Sequence, residues 1–567
     1  MLFKNNKEFT PAMLNMGWAE LSRFSFLNFT ALLLTKSNGD SAYWVFKDRN
    51  YIGNQLNKLN GLEKSNVIIS FIRVLLSPSD YILKKNILLY EYCSFFKDLE
   101  LVAKSKEFEN NFVSSFDQTF RYDSCASVLS RISGRDFQDS LAESRTLIID
   151  DESLRFKFSF VVSDFETVYL SLYKNKSILV FETGHYTKIA ALVGIEDLSS
   201  KLNCDLNVFL KLMIRFKNHL FSYLKKIALY LMSEPVLISG SIRNSHMGHN
   251  LWNDLSGLDR ILKNKFIGNY SEIYTFHGVF QDAWIPIERF IHTNSESINI
   301  DNRPEVYNIN KSDLCSRTYV NGFFHIRIND NYISQDLVDK IINYNFAKLD
   351  CTNNLSLSDG CYDVNICIGL RFENRTWVNQ LDDFELLLKS IMDNLSGKVR
   401  VFIDGHDLLP GNVTLRSHGE VDNAALENEI RLFSLLIESL KSGLLSLYSE
   451  RLFVFSLVNT PIEYTLFNLS KIDFFIAPWG AGLSKYKWIL NKPGLVFTSD
   501  VVIKNSNYKI YEHVKYRENA RECVYVAQDY ITSHGSDKQS NFFLNVNGVV
   551  EALNSLTFEI EGSGDEF

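Results

Sequence analysis

The sequence predicts an α/β protein: two Rossmann-like domains preceded by a mostly helical N-terminal region. Three observations predict it. Residues 1 to about 150 carry long stretches with few breakers. From about 155, short β-rich runs alternate with amphipathic stretches, the pattern of βαβ units around a parallel sheet. The alternation pauses at a polar segment, "HTNSESINIDNRPEVYNINKSD", and then resumes, so each set of elements is about the size of one domain. The expected boundaries are 1–150 helical, 151–345 for the first Rossmann-like domain, and 346–567 for the second with a C-terminal tail.

In chain order, "SNVIISFIRVLL" and "KKNILLYEYCSFFKDLELVAKSKEF" are the helical stretches of the first region. "RFKFSFVVSD", "SILVFETG" and "EPVLISGS" read as strands of the second, with "LNVFLKLMIRFKNHLFSYLKKIALYL" as helix. In the third, "YDVNICIGLRF", "VRVFIDG", "RLFVFSL" and "IDFFIAPWG" are strands separated by helices over "LDDFELLLKSIMDNL", "NAALENEIRLFSLLIESLKSGLL" and "PIEYTLFNLSK".

Composition excludes several classes. With 567 residues, 46% hydrophobic and 22% charged, the chain is made for large cores. A net charge of -8 and a pI near 5.9 supply no global basic field, so nucleic acid is not an expected partner. The eight cysteines form no CxxC pair and no run with zinc spacing, which fits free thiols in a reducing compartment. The N-terminal sequence lacks the pattern of a secretory signal, and no apolar stretch reaches the about 18 residues of a membrane helix. A cytoplasmic protein is expected, with peripheral contact to the inner membrane as a further option.

The chemistry concentrates in three stretches. In "FFIAPWGAGLSKYKWIL" (474–490), a strand runs into Trp479, Gly480, Ala481 and Gly482 before an amphipathic stretch. Backbone N–H groups at the carboxyl edge of a parallel sheet, with a helix N-terminus behind them, favour an anion such as phosphate. Trp479 could stack on a flat or sugar-like group, and Lys485 could add positive charge. The alternative is a tight turn with glycines for packing.

In "VLISGSIRNSHMGHNLWNDLSGLDRIL" (236–262), a β run is followed by Asn244, His246, His249, Asn253 and Asp254. His249 and Asn253, four apart, share a helix face. An imidazole just past a strand end suits general acid-base work, and Asp254 is close enough in sequence to orient it. Capping or core-edge histidines are the plainer alternative. The two histidines have no third ligand at a standard spacing, so no metal is expected. In "ICIGLRFENRTWVNQLDDFELLL" (366–388), a strand delivers Arg371 and Arg375, suited to paired hydrogen bonds with phosphate. An ion pair of Arg375 with Glu373 or Asp382 competes with that reading. Asp404 and His406 in "VFIDGHDLLPG" end another strand, where they would contact a nucleotide's base or ribose or simply build an Asp-Gly turn.

The order of these elements resembles glycosyltransferase family 61. An Asn/His/Asp cluster opens a helix, a strand with arginines is followed by Asn379, and Glu463 precedes "TLFNLSKIDFFIAPWGAGLSKYKWILNKPGLVF". The resemblance covers about residues 236–500 and is concentrated in the last motif. It implies two facing Rossmann-like domains of the GT-B type. It places the nucleotide-sugar donor mainly in the C-terminal domain, with Arg371 and the turn of Gly480, Ala481 and Gly482 at its diphosphate, and Arg375, Glu463, Trp479 and Lys485 are the further expected donor contacts. The acceptor would meet Asn244, His246 and Asn253. It makes His249 the base, with Asp254 beside it, in an inverting transfer without metal or other cofactor, the nucleotide sugar being co-substrate. A glycan or lipid-linked glycan acceptor in bacterial O-antigen or capsule synthesis is the implied setting. The chain departs from the family's pattern at Trp479, where the family has His, and after His249, where Asn253 and Asp254 stand at the fourth and fifth positions.

Three alternatives stay open at this stage. They are a retaining transferase with a carboxylate nucleophile, a nicotinamide-dependent oxidoreductase, for which G-x-G-x-x-G opening an early helix is missing, and a non-catalytic glycan- or nucleotide-binding scaffold.

Overall fold

The structure is a computed structural model. It describes residues 18–53 as strands, 61–77, a few positions between 84 and 123, and most of 135–562. Residues 1–17, 54–60, most of 78–134, 243–246, 277–283, 295–302, 351–360, 373–374, 409–422, 563–567 and some short loops lie outside the description. The chain separates into two units that exchange segments. The first comprises Met1–Ile242, Ile261–Phe276 and Ser297–Asn329, and the second Arg243–Arg260, His277–Glu296 and Asp330–Phe567.

In the first unit, β1 (Trp18–Phe26), β2 (Phe29–Lys36), β3 (Ser41–Lys47) and β4 (Asn50–Gly53) form an antiparallel meander. A helix at Gly61–Leu76 follows. The N-terminal region is therefore not mostly helical among the described residues. "FTALLLTK" and "SAYWVFK" are rich in β-formers and flank Asn38-Gly39, a hairpin signature that outweighs the scarcity of breakers. Of the two predicted helices, 61–76 is present and the stretch 84–108 lies almost wholly outside the described residues.

A second correction concerns 146–202. The strands β5 (Tyr122–Asp123), β6 (Thr146–Ile149), β7 (Glu152–Ser163), β8 (Glu166–Tyr173), β9 (Lys176–Thr183), β10 (Lys188–Gly194) and β11 (Ser200–Leu202) make one sheet in the order β5-β11-β10-β9-β8-β7-β6. From β6 to β11 every pairing is antiparallel. The expected βαβ units do not form here because only two residues separate β7 from β8 and β8 from β9. A parallel crossover needs a dozen or more.

Parallel pairing begins with β12 (Ile238–Ile242), β13 (Tyr270–Phe276), β14 (Glu305–Ile309) and β15 (Phe324–Arg327), in the order β14-β13-β12-β15. Helices Leu206–Ser222 and Leu224–Met232 supply Phe216 and Tyr230 to a core shared with Phe160, Phe181 and Tyr319. His325 is buried between the hydroxyls of Ser239 (3.0 Å) and Ser241 (2.9 Å). Burial and then the neighbouring Arg327 lower its pKa to about 3, so it packs as a neutral ring.

The second unit follows the predicted alternation. Strands β16 (Val364–Gly369), β17 (Val399–Asp404), β18 (Leu452–Ser456), β19 (Phe474–Pro478), β20 (Gly494–Phe497) and β21 (Val524–Tyr525) form a parallel sheet in the order β18-β17-β16-β19-β20-β21. Both faces are covered: on one, Ile366, Val401 and Ile476 pack with Leu387 and Ile391 of helix Gln380–Asn394 and with Val549 and Leu553 of the C-terminal helix, and on the other Phe475 stacks on Tyr486. This is the doubly wound order of a dinucleotide-binding fold, whose direction reverses between β16 and β19. A hairpin of β22 (Ile531–His534) and β23 (Asn541–Leu544) completes the unit. No helix among the described residues is long and apolar enough to cross a membrane.

The segment bearing His249 clusters with the C-terminal unit, although sequence order suggests the preceding domain. Trp252 carries much of this docking. Its ring lies 5.2 Å from that of Trp488 and 5.3 Å from that of Tyr516, and its Nε1 donates to the carbonyl of Asn331.

Candidate functional site

The carboxyl edge of the second unit's sheet gathers the predicted residues at the reversal point. β16 ends in Gly369 and leads to Arg371, and β19 ends in Pro478 and leads to the Trp-Gly-Ala-Gly turn. The two glycines have different reasons. A Cβ at Gly480 would collide with the Arg371 guanidinium, so the missing side chain is what lets the arginine lie against the turn. A Cβ at Gly482 would meet nothing within 4 Å, and Gly482 is exposed. Gly480 thus answers to a neighbour in the protein, while Gly482 leaves open space over the main chain.

The turn closes with Leu483, Ser484 and Lys485 donating their N–H groups to the carbonyls of Gly480, Ala481 and Gly482. Among the described residues no acceptor meets the N–H of Gly480, Ala481 or Gly482. Three successive amides of this kind beside a guanidinium make a concentrated positive site without any charge on the turn itself. The helix behind it is shorter than expected, a π-helical segment of only six residues, Ser484–Ile489. The amides, not a macrodipole, are therefore the turn's contribution.

Lys485 does not point into this edge. Only 2% exposed, its ammonium sits 2.7 Å from Asp404 and 3.1 Å from Asp407, behind the turn. Burial alone would lower its pKa, and the two carboxylates more than reverse that, leaving it raised. Burial pushes Asp407 up to about 6, against the pull of Lys485 and with a further push from Asp404. Tyr486 also donates its hydroxyl to Asp404. Asp404 is thereby committed to the interior and is not placed to contact a base or ribose.

Trp479 is engaged on one side already. Its Nε1 donates to the carbonyl of Tyr508 at 2.8 Å, and the Arg375 guanidinium lies 5.2 Å from the ring centre. Arg375 adopts φ 50, a left-handed conformation uncommon for a non-glycine residue, and is held there by its N–H bonding to the carbonyl of Gln539. The arginine stacks on Trp479, and the competing ion pair with Asp382 is not among the described ion pairs. Glu463 stands in the first turn of helix Ile462–Leu469, half-buried and 4.0 Å from Lys348.

His249 sits where the helix 247–263 widens into a π-helical segment, Asn250–Leu255, an irregularity that often marks a functional position. Its Nδ1 lies 2.8 Å from Oδ1 of Asn253. The Asn253 amide nitrogen donates to the carbonyl of Asp330 (2.9 Å), which orients its oxygen toward the ring. His249 therefore gives its Nδ1–H to Asn253 and carries its lone pair on Nε2, the tautomer a base needs. Asn253, not Asp254, orients the imidazole, and Asp254 is 4% exposed. Asn253 is itself buried, and its contacts here are with the ring and with Asp330. Asn244 and His246 lie outside the described residues. Ring contacts connect the two regions within the unit: His249 to Trp252, Trp252 to Trp488, Trp488 to Tyr511, and Tyr511 to Trp479.

No family model and no curated protein matches the chain, so the resemblance to glycosyltransferase family 61 rests on the quoted residues alone. Solved structures similar in part include two heptosyltransferases by their titles. The chain is 10% identical to the E. coli ADP-heptose lps heptosyltransferase II over 57% of its own length and 100% of the other, with a TM-score of 0.31. It is 12% identical to E. coli heptosyltransferase WaaC with ADP-2-deoxy-2-fluoro heptose, over 56% of its own length and 99% of the other, with a TM-score of 0.26. TarM follows at 10% identity, 80% of this chain, 79% of that one and a TM-score of 0.18. Likenesses this slight do not bear on what the chain does.

Two features were missed in the sequence. One is the buried Asp404–Lys485–Asp407 triad, for which charge signs were the only signal. The other is a pair formed by His406 and Glu429, hidden by the reading of Asp-Gly as a turn.

Proposed function

We propose that the second unit binds a nucleotide-sugar donor at the β16/β19 edge and that the protein transfers the sugar to a hydroxyl of a glycan acceptor. The observation that carries this reading is the Arg371 guanidinium packed over Gly480 beside three amides without acceptors, at the reversal point of a doubly wound sheet. Ligands bind at such points, and a diphosphate suits these donors. The acceptor hydroxyl attacks the anomeric carbon as the bond to the donor phosphate breaks. Its proton passes to Nε2 of His249, and Arg371 and the amides receive the charge left on the nucleoside diphosphate. Attack without a covalent intermediate inverts the anomeric centre. The burial of Asp254 favours His249 as base over Asp254 as nucleophile. Synthesis of a bacterial surface polysaccharide, in the cytoplasm or at the inner membrane, remains the setting implied by the family resemblance.

Titration with UDP, GDP, ADP, dTDP and CMP tests the donor site. One nucleotide is expected to bind, Arg371→Ala to weaken it by at least tenfold, the worth of a charge-assisted hydrogen bond, and Gly482→Trp to abolish it by filling the open space. Binding indifferent to both substitutions would remove the site from this edge.

A further inference from the structure

On the other flank of β16, the segment Asp404-Gly405-His406-Asp407-Leu408 leaves β17 with nearly every polar group turned inward. Lys485 takes the carboxylates of Asp404 and Asp407 and lies 3.3 Å from the carbonyl of Gly405. The carbonyl of His406 accepts from the N–H of Asn459 at 2.8 Å, and the N–H of Leu408 donates to the carbonyl of Thr460 at 2.8 Å. Glu429, 2% exposed, spends both carboxylate oxygens on one residue: Oε1 accepts the N–H of His406 at 3.0 Å and Oε2 accepts from its ring Nδ1. A Cβ at position 405 would run into this carboxylate, so Gly405 is what admits it. The His406 side chain remains 34% exposed.

A rigid loop that holds one half-exposed imidazole from beneath is built to present it. A protonated ring with its Nδ1–H on this carboxylate would turn its second donor, Nε2–H, away from Glu429. The placement is specific. Leu370 donates its N–H to the carbonyl of Asp404, and Gly369 pairs with Asp404 in the sheet, so Arg371 and His406 leave neighbouring strands. The ends of β19, β16 and β17 then present the amide turn, Arg371 and His406 in a row about 10 Å wide, two strand spacings.

We propose that His406, positioned by Glu429, is a phosphate-binding residue of this edge and the third contact to the nucleoside diphosphate. The inference rests on the reading of the edge as a nucleotide-sugar site and adds a residue pair to it. His406→Asn is the informative variant, because its amide can replace Nδ1–H toward Glu429 while removing Nε2. The probes are the best-binding nucleoside diphosphate by calorimetry and its parent nucleoside by ligand-detected NMR.

The asparagine variant is expected to bind the diphosphate about tenfold more weakly, one charge-assisted hydrogen bond, with nucleoside binding and thermal midpoint unchanged. Glu429→Gln, which removes the anion beside the ring, is expected to show the same selective loss. Equal weakening of nucleoside and diphosphate would assign the ring to base or ribose and overturn the proposal. Undiminished diphosphate binding by both variants would place His406 outside the site. A wild-type protein that binds none of the nucleotides would overturn the donor site itself, a failure distinct from either.

Discussion

His249→Ala is expected to lower turnover of the nucleotide sugar by about 10²- to 10⁴-fold, the usual contribution of a positioned general base, while donor affinity stays within about a factor of two. The split follows from the geometry. His249 stands on its own helix, in hydrogen-bond contact with Asn253, whereas the proposed donor contacts come from the ends of β16 and β19. The ring's orientation comes from a neutral amide, which supplies direction and tautomer without an opposing charge. Asp254→Asn is expected to cost far less in turnover, since Asp254 is not the group holding the ring. Steady-state release of nucleoside diphosphate with independent donor titration separates the two terms. A His249→Ala protein with wild-type turnover would send the base assignment elsewhere.

Lys485→Met is expected to destabilise the second unit by about 3–5 kcal/mol, the range for removing one partner from a buried ionic group. Methionine nearly fills the volume, so lost packing is a minor part of this. The cost comes from leaving Asp404 and Asp407 buried and facing one another without the ammonium that lies within 3.1 Å of each. Asp404→Asn with Asp407→Asn in the same chain is expected to recover much of the loss, because the neutral amides no longer need a cation. The pH dependence has a definite sign. Lys485 holds its proton more tightly folded than unfolded, so its contribution is complete below about pH 10.4 and fades above it. Urea unfolding monitored by the second unit's tryptophans measures both effects. A midpoint unchanged by Lys485→Met would mean that the triad contributes nothing net.

How much of this was legible depended on connection length and on long-range pairing. In the C-terminal unit each predicted strand, such as "VRVFIDG" and "IDFFIAPWG", is present at β17 and β19, because helices of fifteen and twenty residues at Gln380–Asn394 and Asn423–Ser442 separate apolar runs unambiguously. In 146–202 the apolar runs have the same local texture, and only the two-residue gaps distinguish a meander from βαβ units. The N-terminal strands were misread for a similar reason, since scarcity of breakers does not distinguish a helix from a long hairpin.

At the site, the glycine turn and Arg371 were legible because strand ends in an α/β sheet converge by topology. Lys485 was not, because its partners lie about eighty residues away and a lysine near a turn reads alike whether it faces solvent or a buried acid. The choice between Asn253 and Asp254 turned on one helical position, and the i,i+4 contact at the edge of a π-helical segment is made by Asn253.

The proposed transfer breaks the bond between a sugar and a nucleoside diphosphate. Phosphorus-31 and proton NMR of wild-type protein with UDP-, GDP-, ADP- and dTDP-sugars tests it most directly, water serving as a slow acceptor when no glycan is supplied. One donor is expected to yield free nucleoside diphosphate and a sugar whose anomeric configuration is inverted at the moment of release, at a rate that falls with His249→Ala. A donor that binds at the β16/β19 edge and stays intact, with and without glycan acceptors, would contradict it and leave a nucleotide-binding protein without transfer chemistry.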